Sequence, residues 1–318
     1  MKLRRRHILI YVIVISVVSL IIVSQSYDKY SRNPSINSLN REVIENYLSD
    51  EDKKYLIDNN LNVNLFLSFI KEKGFSLQNY EYYNVVQKYY PKMKKAAVVK
   101  QTNLLVDENF TLNSLNNIFK NELYSLDQLI SLANKPSSYF PEAKPEFYPN
   151  NAYALSNTKH YIADYKPNDL VKLNKAYTLN KSNIELSNEA NKQLMLMCDN
   201  LKVITEQECG GLKIKYGYIS YKNTNKYTKE LAFIKPGHNE FQLGKTIEFN
   251  KSENFNKNKL YLWLLDNSYR YGFVQRYPDD KTNHTGVSNH YGVFRYVGVN
   301  EAKNLIQNNK TIEEQRGE

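Results

Sequence analysis

Cysteine and histidine are scarce in this chain, with two Cys and five His in 318 residues, alongside 11 Gly, nine Pro and one Trp. Few cysteines leave few ways to staple the fold. Residues 188–208 read as one helix, with Ala190, Leu194, Met197, Leu201 and Ile204 on a common face and Gly210-Gly211 as its stop. A helix rises 1.5 Å per residue, so Cys198 and Cys209 would stand about 16 Å apart, beyond disulfide reach. Two unpaired thiols are therefore expected. No Cys follows the apolar run near the N-terminus, which excludes a lipoprotein anchor there. No internal repeat or low-complexity tract stands out.

Acidic residues are also in short supply, 33 against 43 Lys and Arg, giving a net charge of +10 and a pI near 9.2. Such a balance suits nucleic acid, an anionic membrane or an anionic polymer such as teichoic acid, so location must choose among them. With 42% hydrophobic residues, the 318-residue chain can build a real core, as one large domain or two modest ones.

The location is written at the N-terminus. Lys2, Arg4, Arg5 and Arg6 precede an uncharged, mostly apolar run over residues 8–23. With its flanks the run reaches about 18 residues, the short end of a membrane-spanning helix, and the basic cluster holds the N-terminus inside. A cleaved signal peptide is the competing reading, with Ser24 and Ser26 before the cut, but the run is longer than a usual signal core. The expectation is a membrane protein with a cytoplasmic tip and single anchor over 1–26, a polar linker over 27–40 and an extracytoplasmic body.

Within that body, Ser49 opens a short helix, residues 64–73 place Leu65, Phe66, Phe69 and Ile70 at helical spacing, a third helix runs from Leu77 towards Tyr90 and is ended by Pro91, and a box at Ser125 and Gln128 starts a fourth. These predict a helical module over 41–150. The Tyr80–Tyr90 cluster beside Lys88, Lys92, Lys94 and Lys95 is read as packing with a solvated basic face. A nucleic-acid surface is not expected outside the cell. Four prolines between Lys135 and Asn151 mark the boundary to a second domain over 151–318. There the long helix is followed by short strands at 212–221, around Phe233, Ile247 and Phe249, and at 293–297, with a helix at 261–271. The fold class is α+β, with a small antiparallel sheet and flanking helices.

From Tyr165 onward five motifs arrive in order: Tyr165-x-Pro167-x-Asp169-Leu170-Val171; residues 217–224, GYISYKNT; residues 236–248, PGHNEFQLGKTIE; a block running from Trp263-Leu264 through Tyr271-Gly272-Phe273 and Arg276-Tyr277-Pro278 to Thr285-Gly286; and residues 290–298, HYGVFRYVG. Together they resemble the D-Ala-D-Ala carboxypeptidases of the VanY type, zinc peptidases that trim the peptidoglycan stem peptide. The resemblance implies a carboxypeptidase-like domain. It also implies three metal-ligand positions, which here are Phe241, Glu248 and Val293, a general-base position at His290, and a carboxylate-clamping arginine position at Ile219.

A catalytic zinc needs three protein donors and an open position for water. Phe and Val donate nothing, so no cofactor is expected, and zinc only if the site is rearranged around His238, Glu240, Glu248, His284 or His290. The remaining candidates for the cleft are Ile219, Ser220, Glu240, Gln242, Arg276, Tyr277, His290 and Arg295. The expected function, as the resemblance implies, is a catalytically inactive homologue in the bacterial cell membrane that acts at the cell wall, binding peptidoglycan, an anionic wall polymer or a protein partner. The alternative is an active metal-dependent peptidase with a relocated site.

Overall fold

The computed structural model describes residues 30–251, 255–288 and 290–318. The expected anchor over 8–23 and its basic tip lie outside the described residues. Among the described residues no helix is long and apolar enough to cross a membrane. The chain divides into two compact units, 1–112 and 113–318.

The first unit is helical. Helix α1 (Arg41–Tyr47) is followed by α2 (Asp50–Asp58), whose first turn is closed by Ser49 Oγ accepting from Asp52 N at 3.0 Å. Only a 3-10 turn, Val63–Leu65, forms where a helix over 64–73 was expected. The run is too short to repay helix nucleation, and its bonds switch from Leu67 N to Val63 O to the tighter Phe69 N to Phe66 O. Phe66, Phe69 and Ile70 are buried all the same. Their spacing reported the core correctly and the hydrogen bonding wrongly. Helix α3 (Tyr80–Tyr89) ends before Pro91, and the Tyr83 hydroxyl donates to Asn103 Oδ1 of α4 (Lys95–Asp107) at 2.8 Å.

The second unit opens with α5 (Leu112–Lys120) and α6 (Leu126–Asn134), the latter started by a capping box between Ser125 and Gln128. The division therefore falls well before the proline-rich stretch. Its physical reason is visible in the hydrogen bonds: the Tyr124 hydroxyl donates to Glu146 O at 2.9 Å, and the Tyr161 hydroxyl to Leu132 O and Lys135 O, both at 2.6 Å. These bonds tie both ends of α6 to the segment over residues 146–161.

Short strands β1 (Lys144–Pro145) and β2 (His160–Tyr161) pair in parallel, and β3 (Leu170–Lys172) pairs antiparallel with β4 (Glu185–Ser187). Helix α7 (Asn188–Thr205) comes next. Strands β5 (Ile214–Tyr216), β6 (Thr246–Phe249), β7 (Phe273–Gln275) and β8 (Val293–Tyr296) build one antiparallel sheet in the order β5-β6-β8-β7. Helix α8 (Lys259–Asn267) lies between β6 and β7, the short α9 (Thr282–Thr285) between β7 and β8, and α10 (Val299–Gln307) and α11 (Ile312–Arg316) end the chain. The α+β class is as expected; no strand forms at Phe233, and β5 is shorter than residues 212–221.

The two thiols are joined, contrary to expectation: Cys198 and Cys209 form a disulfide. The helix stops at Thr205, earlier than its apolar pattern implied, because Glu206 takes a left-handed conformation with φ of 62°. Cys209 and Gly210 are left-handed as well, at φ of 52° and 67°, so the chain folds back along α7. Straight-helix spacing does not apply across such a reversal.

Alternation along the strands gives the sheet two different faces. Ile214, Ile247, Phe249, Phe273 and Phe294 point into one core together with Leu194, Met197 and Leu201 of α7. Each such side chain, fully buried, contributes about 1.5–3 kcal/mol. Val293 belongs to a second cluster, as does Tyr216, which a register shift after Ile214 turns away from that residue's face, and this second face carries the residues of interest.

Candidate functional site

On that second face, β6 places Glu248 between Tyr216 of β5 and Val293 of β8, its register partners on either side. Phe241 sits on the 3-10 turn Glu240–Leu243 that leads into β6, a turn whose first N–H bond is made by the Asn239 side chain, accepting from Phe241 N at 3.0 Å. The same Asn239 donates through Nδ2 to Ile219 O at 3.3 Å and to Thr224 Oγ1 at 3.0 Å. One buried amide thus docks the 219–224 segment against the 239–241 turn. A single apolar cluster results, containing Ile219, Phe241 and Val293 with Tyr216, Leu231, Ile234 and Tyr277. Phe241 and Val293 are 0% exposed and Ile219 is 4% exposed.

Glu248 is the one carboxylate among these positions. Burial pushes its carboxyl pKa up, against the pull of Lys251, whose ammonium lies 3.1 Å from Glu248 Oε1. The other oxygen, Oε2, is buried with no hydrogen-bond partner among the described residues. His290 lies beside Phe233 and Tyr277, with ring centroids 4.5 and 6.5 Å away. Burial and the nearby Lys251 push its pKa down to about 4, so the ring is neutral at physiological pH. Its Nδ1 is likewise buried and without a partner among the described residues.

The other candidates divide. Ser220 is half-buried at the start of a 3-10 turn, and Tyr277 is buried in the apolar cluster. Glu240, Arg276 and Arg295 are fully buried and form an ion-pair network with Glu313, a residue the sequence reading missed. Arg276 grips the Glu313 carboxylate with both terminal nitrogens, at 3.0 and 2.6 Å, and its Nε lies 3.2 Å from Glu240 Oε1. Arg295 donates to Glu240 Oε1 at 2.5 Å and through Nε to Tyr296 O at 3.0 Å. Burial disfavours the charge on Glu313, yet Arg276 overrides it and holds the carboxyl below its usual range. The signal available in sequence was only the capping box at Thr311 and Glu314, which says where α11 starts and nothing of what Glu313 faces. Gln242 accepts from Gly237 N at 3.3 Å and donates to Ala163 O and Tyr165 O at 2.8 and 2.9 Å, spanning three loops.

The residues present do not fit a catalytic zinc at the three family positions. Phe241 and Val293 offer hydrocarbon, and the single carboxylate of Glu248 is shared with Lys251. The dispersed donors do not converge either. His238 points its Nδ1 at Asn157 O, 2.6 Å away, His284 lies 3.4 Å from Glu314, and Glu240 is held by two arginines. Among the described residues no group of three or more His, Cys, Asp or Glu is placed to hold a metal ion.

Comparison with known proteins bears on this site directly, because the match covers it. Residues 184–299 match the family model "VanY: D-alanyl-D-alanine carboxypeptidase". A D-alanyl-D-alanine carboxypeptidase of Enterococcus faecalis is 44% identical over 80 residues, which is 25% of this chain and 30% of that protein. The Bacillus subtilis protein described as "Putative carboxypeptidase YodJ" is 27% identical over 258 residues, 70% of this chain and 84% of its own length. Among solved structures, that of the LdcB LD-carboxypeptidase superposes with a TM-score of 0.48 at 27% identity, covering 54% of this chain and 88% of that one. Residues 184–299, the stretch that carries β5 to β8 and the Ile219–Phe241–Val293 cluster, belong to the VanY-type D-alanyl-D-alanine carboxypeptidase family.

Proposed function

We propose that this protein is a catalytically silent VanY-type homologue, anchored in a bacterial membrane through residues 8–23, whose body lies outside the cell and binds peptidoglycan stem peptide or a wall-associated protein. The observation that carries the loss of activity is the packing of Ile219, Phe241 and Val293 into one apolar cluster. Water activation needs a metal with an open position, and two of the three donors it would need are hydrocarbon. Selection of a C-terminal carboxylate needs a cation, and the position expected to supply it is a buried isoleucine. The retained sheet, turn and loop architecture supports binding as the surviving role. The test is the purified full chain in detergent, assayed for metal content and for D-Ala release from a peptide ending in D-Ala-D-Ala. Neither stoichiometric zinc nor turnover is expected; metal-dependent turnover overturns the reading.

One observation favours a second reading, an active metal-dependent D,D-peptidase with a rearranged site. Glu248 Oε2 and His290 Nδ1 are both buried without a hydrogen-bond partner among the described residues, as groups awaiting a ligand would be. In that case turnover is present and is lost in both Glu248→Ala and His290→Ala. Activity that survives both substitutions removes this reading.

A further inference from the structure

A groove of about 620 Å³ lies within the second unit, in the size range of small-ligand sites. None of its lining residues belongs to the Ile219–Phe241–Val293 cluster. Lys245, just before β6, lines it together with the buried Tyr165 and the half-buried Tyr296. Gly244 is what lets the chain pass this close: its φ is +70°, and a Cβ there would stand 2.8 Å from Pro167 Cγ of the groove wall.

The charge in the groove runs against the charge of the molecule. Glu122, Asp169 and Glu189 supply three carboxylates, and Lys120 and Lys245 two amines, so the lining is net negative in a chain of net charge +10. Lys245 tips it further. Its Nζ donates to Asn150 O at 2.6 Å, and burial, with help from the Arg295 guanidinium, pushes its pKa down to about 7. The lining itself thus offers an anionic polymer no net attraction. What remains is a lining of carboxylates, the side-chain amides of Asn121, Asn150 and Asn168, and two tyrosines. Amides and carboxylates pair with hydroxyl and acetamido groups.

We infer that the Lys245 groove is a binding site for a neutral saccharide chain bearing hydroxyl and acetamido groups, separate from the family's reaction site. The assignment stands on the lining of the groove and not on the loss of chemistry at Phe241 and Val293, so either can fail alone. The probe is chitotetraose, added to the full-length protein and followed by isothermal titration and by amide chemical-shift mapping. Binding is expected, with shifts concentrated at residues 120–123, 165–169, 187–189 and 243–245. Lys245→Met and Glu189→Ala should each weaken it by tenfold or more with unchanged thermal midpoints, whereas Phe241→Leu should leave it unchanged. Glu189 is exposed, so that variant keeps the test meaningful if Lys245→Met fails to fold. Absence of chitotetraose binding, binding of a poly(glycerol phosphate) oligomer in its place, or affinity indifferent to both groove variants each overturns the assignment.

Discussion

Glu248 and Val293 face one another across neighbouring antiparallel strands, as register partners of β6 and β8. Opposed side chains in such a pair start with their Cβ atoms about 4.5–5.5 Å apart. Phe241 packs in the same cluster as Val293. Glu248 and Val293 are thus neighbours and Phe241 shares the cluster of Val293, and the family resemblance implies that these three are the metal-donor positions.

Restoring the donors should restore metal binding. The double variant Phe241→His/Val293→His, with Glu248 left in place, is expected to bind one zinc per chain by elemental analysis and to gain thermal stability on adding zinc. The wild type should do neither. Without zinc the variant should be less stable by about 3–5 kcal/mol, the scale of losing a buried aromatic side chain. A folded double variant that takes up no zinc would show that the three side chains do not converge.

Arg276 holds Glu313 bidentately in a setting where both are almost wholly buried. Removing one partner of a buried pair leaves an uncompensated charge, so Arg276→Met should cost about 3–5 kcal/mol in urea unfolding. Adding Glu313→Leu should recover much of that loss, because the orphaned carboxylate goes too. A cost below about 1 kcal/mol for the single variant would contradict the network's role.

His238 is buried between Asn157 and His160 carbonyls, at 2.6 and 3.2 Å from Nδ1, and Ser137 at Nε2. Carbonyls only accept, so Nδ1 carries the proton and Nε2 accepts from the Ser137 hydroxyl. Burial lowers its pKa from the usual 6.5, outweighing those carbonyls. A lowered histidine pKa means that the unfolded chain binds more protons in the window below 6.5. The stability associated with neutral His238 is therefore full above that pH and is lost as pH falls towards the folded-state pKa. Ring-proton NMR should place the His238 midpoint below 6.5. A midpoint at or above that value refutes the dominance of burial.

The disulfide closes a short loop, Cys198 and Cys209 being 11 residues apart. Loop-closure entropy for that length corresponds to about 3 kcal/mol. Cys198→Ala/Cys209→Ala should lose roughly that much in denaturant unfolding, and the wild type should show no free thiol to alkylating agents before reduction. Two reactive thiols in the unfolded, unreduced protein would rule the bond out.

Much of the domain was legible in the sequence because its signals are local. The capping boxes at Ser125 and the tight glycine turns act over a few residues, and alternation at Ile247 and Phe249 sorts a strand's faces without knowledge of its neighbours. The identity of Phe241 and Val293 alone determined that these side chains cannot bind a metal. Tertiary structure decided the rest. It ended α7 at Thr205 through a left-handed reversal that no apolar spacing encodes, and so joined two cysteines that a straight helix would separate. It turned Glu240, Arg276 and Arg295 from prospective cleft groups into a buried network closed by Glu313, because the charge a residue meets is set by packing across many residues of chain. It also gathered Lys245, Tyr165 and Tyr296 around one groove, a juxtaposition with no trace in any local pattern.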